Sequence, residues 1–532
     1  MSPQDTPRPV ARALLSVFDK TGLVDLGRAL AEQGVELVAS GGTATALQEA
    51  GLAVVEVADL TRSPEMLGGR VKTLHPRIHG GILARRDLES DRQDLEANEI
   101  GAIDLVVVNL YPFERTVADG GSDAECIEKI DIGGPSMLRS AAKNHAYVGV
   151  LTDPADYAPV VAELRESGGL GEGTRRRLAL KAFQRTSAYD AAIQTWLDGR
   201  LAQSEAESAG TPVDPFPAQL SVALPKSATL RYGENPHQRA ALYGGFLDAT
   251  AQLHGKELSY NNLVDVQAAL ALILDFEPGP GDHGTAVGIL KHNTPCGVGS
   301  GPSPLEAYRR AFSTDPDSPF GGIIVCNAPF DLALAEEVDQ IFTEVLVAPG
   351  FDDDALALLR KKKNRRLLAF DAARIERSEL EWRRVYGGVL LQEPDCTVED
   401  LSTAQVVTKV KPGEEVLRSL QFAWRAVKHV KSNAVVFAGD GRTLAIGGGA
   451  TSRVDAVHNA VAKAARVGLD LQGSVLASDA FFPFPDGLET AVAAGARAVV
   501  QPGGSNRDAL VIEAADRLGI AMVFTGARHF RH

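Results

Sequence analysis

Val35-Glu36-Leu37-Val38-Ala39-Ser40-Gly41-Gly42-Thr43 decides how the first half of this chain folds. An apolar run of strand length passes directly into small residues, which open a helix pattern reaching Glu49. The same alternation extends on both sides. Upstream, Ala13-Leu14-Leu15-Ser16-Val17-Phe18 reads as a strand, followed by a helix pattern over 23–33. Downstream, Leu105-Val106-Val107-Val108-Asn109-Leu110 and Tyr147-Val148-Gly149-Val150-Leu151 are further strands. Strands that are apolar along their whole length, separated by helices, imply a parallel sheet covered on both faces. The class is α/β. Residues 174–201 carry a long amphipathic pattern suited to a closing helix.

Beyond it, 203–228 is polar and punctuated by Pro212, Pro215, Pro217 and Pro225, which suits a linker. The second half resumes α/β alternation, with strands expected near 286–290, 321–326, 385–391, 434–438, 443–447 and 497–501. That half is long enough for two smaller α/β lobes, and no short-period repeat is evident.

At 532 residues the chain exceeds one core, so two to four domains are expected. No apolar run is long enough for a membrane span, and Met1-Ser2-Pro3-Gln4-Asp5-Thr6 has no apolar signal core, so a cytoplasmic location is expected. The four cysteines are far apart with no Cys-x-x-Cys, against both a disulfide framework and a zinc ribbon. A net charge of −15 argues against nucleic-acid or anionic-membrane binding. Any anionic ligand must therefore be held by local cations and backbone N–H groups.

Three clusters in the first half could do so. Ser40-Gly41-Gly42-Thr43 places free N–H groups at a helix N-terminus. Gly68-Gly69-Arg70-Val71-Lys72-Thr73-Leu74-His75-Pro76 adds two cations and a hydroxyl, and Asp131-Ile132-Gly133-Gly134-Pro135-Ser136 opens another helix. Each alone is more simply a turn or a cap; together they suggest a site. Asn109-Leu110-Tyr111-Pro112 ends its strand with an amide and a phenol, able to wall a planar heterocycle. In the second half, Ala286–Leu290 runs into Lys291-His292-Asn293-Thr294-Pro295-Cys296-Gly297, a strand ending in a cation, an imidazole and a Pro-punctuated turn. Lys beside His can stabilise an anion and move a proton. Arg231-Tyr232-Gly233-Glu234-Asn235-Pro236, Ser432-Asn433, Thr451-Ser452-Arg453, the Phe-rich loop Ser478–Asp486, Gln501–Asn506 and the terminal Arg528-His529-Phe530-Arg531-His532 are further polar concentrations. No deaminase zinc signature, Walker loop, kinase set or Gly-x-Ser-x-Gly is present.

In order, these strings resemble the bifunctional purine biosynthesis proteins that combine AICAR transformylase with IMP cyclohydrolase. The match also includes Ser16–Leu23, Ala141-Ala142-Lys143-Asn144-His145, Phe320-Gly321-Gly322 and Lys431-Ser432-Asn433-Ala434, so it spans nearly the whole chain. The resemblance implies a methylglyoxal-synthase-like, Rossmann-type cyclohydrolase domain over 1–202 and a linker over 203–228. Residues 229–532 would be a transformylase of two cytidine-deaminase-like lobes. It further implies 10-formyltetrahydrofolate as co-substrate, AICAR, FAICAR, IMP and tetrahydrofolate as ligands, a homodimer, and no catalytic metal. A structural monovalent cation stays open.

Carried over by resemblance, His292 accepts a proton, Lys291 is its electrostatic partner, and Asn433 orients the carboxamide and formyl group. Arg231, Tyr232, Gly321, Glu344, Arg453 and Phe481 would line the AICAR pocket. Phe481, Asp486, Ser505, Asn506 and Arg528 would face folate. For ring closure, Lys72, Lys143, Tyr111 and Asp131 form the acid–base and oxyanion set. Lys20, Ser40, Gly41, Gly42, Thr43, Arg70, Thr73, Leu74, Asn109, Leu110, Gly133 and Gly134 would hold the nucleotide. Phe18 stands where many members have a Ser that touches nucleotide, and Glu344 where some have Asp. A triose-phosphate lyase with an unrelated second domain, or a nucleotide-sensing module, would leave Lys291-His292 and the Phe481 loop unexplained.

Overall fold

The computed structural model describes residues 7–276 and 284–532, so the opening hexapeptide read for an export signal lies outside them. The chain divides into two units, Met1–Ala223 and Leu224–His532.

In the first unit, β1 (Arg12–Ser16), β2 (Glu36–Ala39), β3 (Val54–Glu56), β4 (Leu105–Val108) and β5 (Gly149–Leu151) form one sheet in the order β3-β2-β1-β4-β5. Every pairing is parallel. Leu14, Leu15, Val38, Val106, Val107 and Val150 are fully buried, as strands covered by helices on both faces must be. The order reverses between β1 and β4, where a parallel sheet opens a crevice at its carboxyl ends. The loops after β1, β2 and β4 carry Lys20, Ser40 and Asn109 to that crevice. The closing helix is Glu172–Ala209, continuous through 203–209, where composition suggested linker. Ser204, Glu205 and Glu207 do not break a helix; Gly210, in the left-handed conformation at φ 65°, does.

The second unit is built on a twelve-stranded sheet, flanked by a small hairpin of β6 (Lys226–Leu230) and β7 (Ala240–Tyr243). One half of the sheet contains β8 (Thr250–His254), β9 (Thr285–Lys291), β10 (Thr294–Gly301), β11 (Ile323–Cys326), β12 (Val345–Ala348) and β13 (Arg366–Phe370). After the separate hairpin β14 (Glu381–Val385) and β15 (Gly388–Gln392), the other half contains β16 (Gln405–Val406), β17 (Val435–Gly439), β18 (Arg442–Gly447), β19 (Val475–Ser478), β20 (Ala498–Gln501) and β21 (Ala521–Phe524). The sheet order is β16-β21-β20-β19-β17-β18-β10-β9-β11-β12-β13-β8. Each half therefore has the same plan: an antiparallel hairpin followed by a parallel triplet. The halves join through β10 and β18, which are antiparallel, so one is turned half a revolution against the other.

That turn brings unlike strand ends to one edge. The end of β9, the starts of β11, β12 and β13, the start of β17 and the ends of β19, β20 and β21 all lie there.

Two expectations are corrected. The single strand near 385–391 is instead the hairpin β14–β15, because Tyr386-Gly387, with Gly387 at φ 81°, makes a turn in its middle. The turn after Lys291 is not at the proline. It is His292-Asn293, a two-residue reversal with Thr294 already paired to Lys291, while Pro295 sits inside β10 beside a register shift. A proline cannot donate to the ladder, so an irregularity there is its expected setting. Both turn residues have positive φ, 55° and 63°, as a type I′ hairpin requires. The equivalent turn between β17 and β18 is Asp440-Gly441 (49° and 67°), the residues such a turn favours. Replacing His292-Asn293 with Asn-Gly (His292→Asn with Asn293→Gly) is expected to raise unfolding stability by about 0.5–1 kcal/mol, read from urea denaturation. A lower midpoint would show that this turn is not under backbone strain.

Candidate active sites

In the first unit the predicted anion cluster assembles around Lys72. Ser40 is the residue before the helix Gly41–Glu49 and makes no capping bond, so its hydroxyl is free at a helix N-terminus. Gly41 is at φ 50°, and a Cβ there would lie 3.3 Å from Lys72 Nζ. Thr73 Oγ1 would sit 2.8 Å from a Cβ on Gly133, so the glycine lets the 73 loop reach the helix Gly133–Lys143. Asp131 Oδ1 accepts the Gly134 N–H at 2.8 Å and Oδ2 the Tyr111 N–H at 3.4 Å. Behind it, the Tyr189 hydroxyl accepts the Asp131 N–H at 2.9 Å and donates to Lys129 O at 2.8 Å.

Burial raises the Asp131 carboxyl above its ordinary range, against the Gly134 and Tyr111 N–H groups and Lys72. Burial also raises the Tyr111 phenol, with Asp131, Glu65 and Glu128 adding to it. Partial burial lowers Lys20, opposed by Asp19 and reinforced by Lys72. A desolvated carboxyl, a phenol and two mutually repelling ammonium groups suit an incoming anion and proton transfer beside it.

Other expected members of the site are placed differently. Thr43 is buried, its hydroxyl tied to both the N–H and the C=O of Val17 at 3.1 Å, so it fixes the helix to β1. Arg70 is exposed and ion-paired with Glu128. Leu74 is exposed. Lys143 is exposed at the last turn of the helix that Gly133 begins. Some 15 Å of helix rise lies between their backbones, so one chain does not bring Lys143 to Asp131. Asn109 accepts from Phe18 N–H at 2.6 Å and donates to Asp19 O at 2.9 Å, shaping the β1 loop. Phe18 meets the Tyr111 ring edge-on at 5.8 Å. A cavity of about 820 Å³ adjoins this wall, sharing Asn109 and Leu110 with it.

In the second unit the sheet edge holds two groups of residues. At the first, Lys291 Nζ donates to Phe320 O at 2.9 Å, and the Asn293 N–H donates to Asp265 Oδ1 at 2.7 Å. Glu344 Oε2 accepts from Asn262 Nδ2 at 2.8 Å and lies 3.9 Å from Arg366 Nη1. The Arg231 guanidinium covers the Tyr232 ring at 4.9 Å. Gly321, at φ 75°, donates its N–H to Phe342 O at 2.8 Å.

At the second, Arg453 Nη2 donates to Asn433 Oδ1 at 3.0 Å while Asn433 Nδ2 donates to Ala450 O at 3.0 Å. Arg453 Nη1 binds the buried Asp479 carboxylate and Ala434 O. Arg453 thus holds Asn433 in place, with two of its nitrogens committed to protein. Phe481 and Asp486 follow β19, Ser505 and Asn506 follow β20, and Arg528 follows β21, so the expected folate residues converge from three adjacent parallel strand ends. His292 and Asn433 share the edge but are three strand spacings apart, about 14 Å.

Among the described residues, no group of three or more His, Cys, Asp or Glu side chains is placed to hold a metal ion. No described helix is long and apolar enough to cross a membrane.

Residues 141–463 match the family described as AICARFT/IMPCHase bienzyme, and residues 22–136 match the MGS-like domain. The bifunctional purine biosynthesis protein PurH of Anaeromyxobacter dehalogenans strain 2CP-1 is 53% identical over 98% of this chain and 99% of its own. Those of Dinoroseobacter shibae and Chloroflexus aurantiacus are 52% identical, over the same 98% and 99%. This chain belongs to the AICARFT/IMPCHase bienzyme family. It is a bifunctional enzyme of purine biosynthesis, an AICAR formyltransferase and an IMP cyclohydrolase.

Reading the bienzyme from its sequence alone gives Asn262 only a capping role, which it has with Ser259, and misses Asp265 and Arg366. Asn262 and Asp265 are three apart on the helix Tyr260–Ile273 and so share a face, a signal that periodicity contained. Burial raises the Asp265 carboxyl, against the Asn293 N–H and the nearby His292. In the first-unit cluster, Gly41→Ala would add a Cβ 3.3 Å from Lys72 Nζ at a left-handed position. It is expected to weaken IMP binding about tenfold, read by calorimetric titration, at a stability cost near 1 kcal/mol. Unchanged affinity would remove Gly41 and Lys72 from the nucleotide cradle.

Proposed function

We propose that the two activities divide between the units, with cyclohydrolase in 1–202, a connector in 203–228 and transformylase in 229–532. One observation carries the transformylase assignment. His292 is held at a strained left-handed turn position where the equivalent turn, Asp440-Gly441, uses the residues that favour it. A protein that gives up turn stability at one of two equivalent positions is using that side chain.

Formyl transfer begins with AICAR's amine, a poor nucleophile because its ring and carboxamide withdraw electron density. His292 takes a proton as the amine nitrogen bonds to the formyl carbon of 10-formyltetrahydrofolate. Lys291, fixed by Phe320 O, stabilises the oxyanion, and the N10–carbon bond breaks as N10 gains a proton. Asn433 orients the carboxamide and formyl group. Arg231 serves the phosphate, with Tyr232, Gly321, Glu344 and Phe481 around the ring. Phe481, Asp486, Ser505, Asn506 and Arg528 face the folate.

FAICAR then closes at the first unit. Its carboxamide nitrogen attacks the formyl carbon and water departs. Lys72 and Tyr111 support the oxyanion, and the Asp131 carboxyl, raised by burial, stands beside them for proton transfer as hydroxide leaves. Ser40 and the Gly41 and Gly42 N–H groups receive the phosphate. Lys143, remote within one chain, enters this scheme only from a second copy.

A homodimer fits both this and the 14 Å gap between His292 and Asn433, since a second copy would set one edge group against the other. The hairpin β14–β15 exposes Trp382, Tyr386, Val389 and Leu390, an apolar patch that a partner would cover. The acidic charge and the unpaired cysteines suit a reducing cytosol.

Supplied with AICAR and 10-formyltetrahydrofolate, the protein should yield tetrahydrofolate and IMP together. His292→Ala should cut formyl transfer by at least about a thousandfold while closure of supplied FAICAR stays normal. Loss of both in a folded variant would contradict separate sites. Lys72→Ala should do the opposite and let FAICAR accumulate; normal IMP formation would refute its role.

A further inference from the structure

The terminal segment after β21 is stitched between two loops of the transformylase edge. The His529 N–H donates to Asp479 O at 3.0 Å. Ser432 and Arg531 exchange two bonds, from Ser432 N–H to Arg531 O at 2.9 Å and from Arg531 N–H to Ser432 Oγ at 3.1 Å. Ser432 precedes Asn433, and its hydroxyl also donates to Asp479 Oδ2 at 2.5 Å. The tail thus touches both loops that present the formyl-transfer residues.

Its side-chain anchor is His529, only 2% exposed. Nδ1 is 2.6 Å from Asp395 Oδ2 and Nε2 is 2.9 Å from Glu399 Oε2. An ionised carboxylate only accepts, so two such contacts need a proton on each ring nitrogen, and the group is an imidazolium. The same Glu399 oxygen accepts the Trp424 indole N–H at 2.8 Å, and the two rings pack 5.0 Å apart. Lys428, 3.8 Å from Asp395 and 2.9 Å from Asp275, keeps Asp395 in a charged network.

We propose that His529 is a positioning residue for formyl transfer: a buried imidazolium whose two-carboxylate clamp holds the tail, and with it Arg528, Ser432 and Asn433, at the sheet edge. This rests on the assignment of Asn433 and Arg528 to that site.

The charged groups facing the imidazole are Asp395 and Glu399 from the preceding loop and Lys428 from the end of the helix Glu414–Val427, with Asp275 behind it. Arg528 and Arg531 flank it on the tail. Burial disfavours the cation, but the two carboxylates outweigh it and raise His529 above its ordinary range. A raised histidine contributes stability that is complete below its unfolded value, about 6.5, and is lost as pH climbs through the folded value. The tail therefore loosens toward alkaline pH.

The test uses the full-length chain with ¹⁵N-labelled histidine. At neutral pH both ring nitrogens of His529 should be protonated; a single neutral tautomer would overturn the proposal. His529→Gln should lower kcat/KM for formyl transfer about ten- to a hundredfold, chiefly through the folate KM, with closure of supplied FAICAR unchanged. Asp395→Asn, milder to the fold, should move the alkaline limb of formyl transfer to lower pH and leave that of ring closure in place. An unmoved limb would overturn the clamp. Normal transfer in His529→Gln while Asn433→Ala abolishes it would reject His529 and leave the site standing. Normal transfer in both would reject the site itself and the proposal with it.

Discussion

The antiparallel join between β10 and β18 is the contact on which the second unit depends. It is short: Gly299 faces Arg442, and the Val298 N–H donates to Thr443 Oγ1 at 2.9 Å. Thr443, wholly buried, also meets Thr314 through its carbonyl at 2.6 Å and its hydroxyl at 2.7 Å. Gly297 and Gly299 allow this. A Cβ on either would fall 2.0 Å from Ala311 O or 2.4 Å from Ala307 O, so the helix Pro304–Ser313 lies directly on β10 only because both are glycine. A parallel join would have sent the carboxyl ends of β19, β20 and β21 to the edge opposite His292. The antiparallel one collects the Lys291-His292 turn and the loops proposed to face folate on a single border.

The two lobes also provide an internal control on the cost of function. Their hairpin turns demand left-handed backbone at two successive residues, and Asp440-Gly441 meets that demand with residues suited to it. His292-Asn293 meets it with an imidazole, steadied from outside by the bond from Asn293 N–H to Asp265. The same logic recurs at Asp131, where burial raises a carboxyl against the Gly134 and Tyr111 N–H groups and Lys72. In each case packing elsewhere stabilises a local arrangement that is unfavourable by itself.

Much of this was legible in the chain. Alternating apolar strands and helices specify a doubly covered parallel sheet, and small residues after Ala39 specify where the next helix begins. Where the structure places a residue unexpectedly, the cause is physical. The apolar run at 385–391 hides its turn because valine and leucine flank Tyr386-Gly387 on both sides. Thr43 looks like a phosphate ligand by type, but its hydroxyl is consumed by Val17. Lys143 stands close to Asp131 in sequence, yet a helix carries it far away.

By itself the sequence determined which groups are present and which local elements display them, because periodicity, capping and turn chemistry act within a few residues. It determined the family as well, since long strings recur in order. Only the tertiary structure decided that Arg453 holds Asn433 and that His529 lies between Asp395 and Glu399. Only there does His292 share an edge with Asn433, about 14 Å away. Those outcomes depend on strand order and on carboxylates brought together from distant segments, which no local pattern encodes.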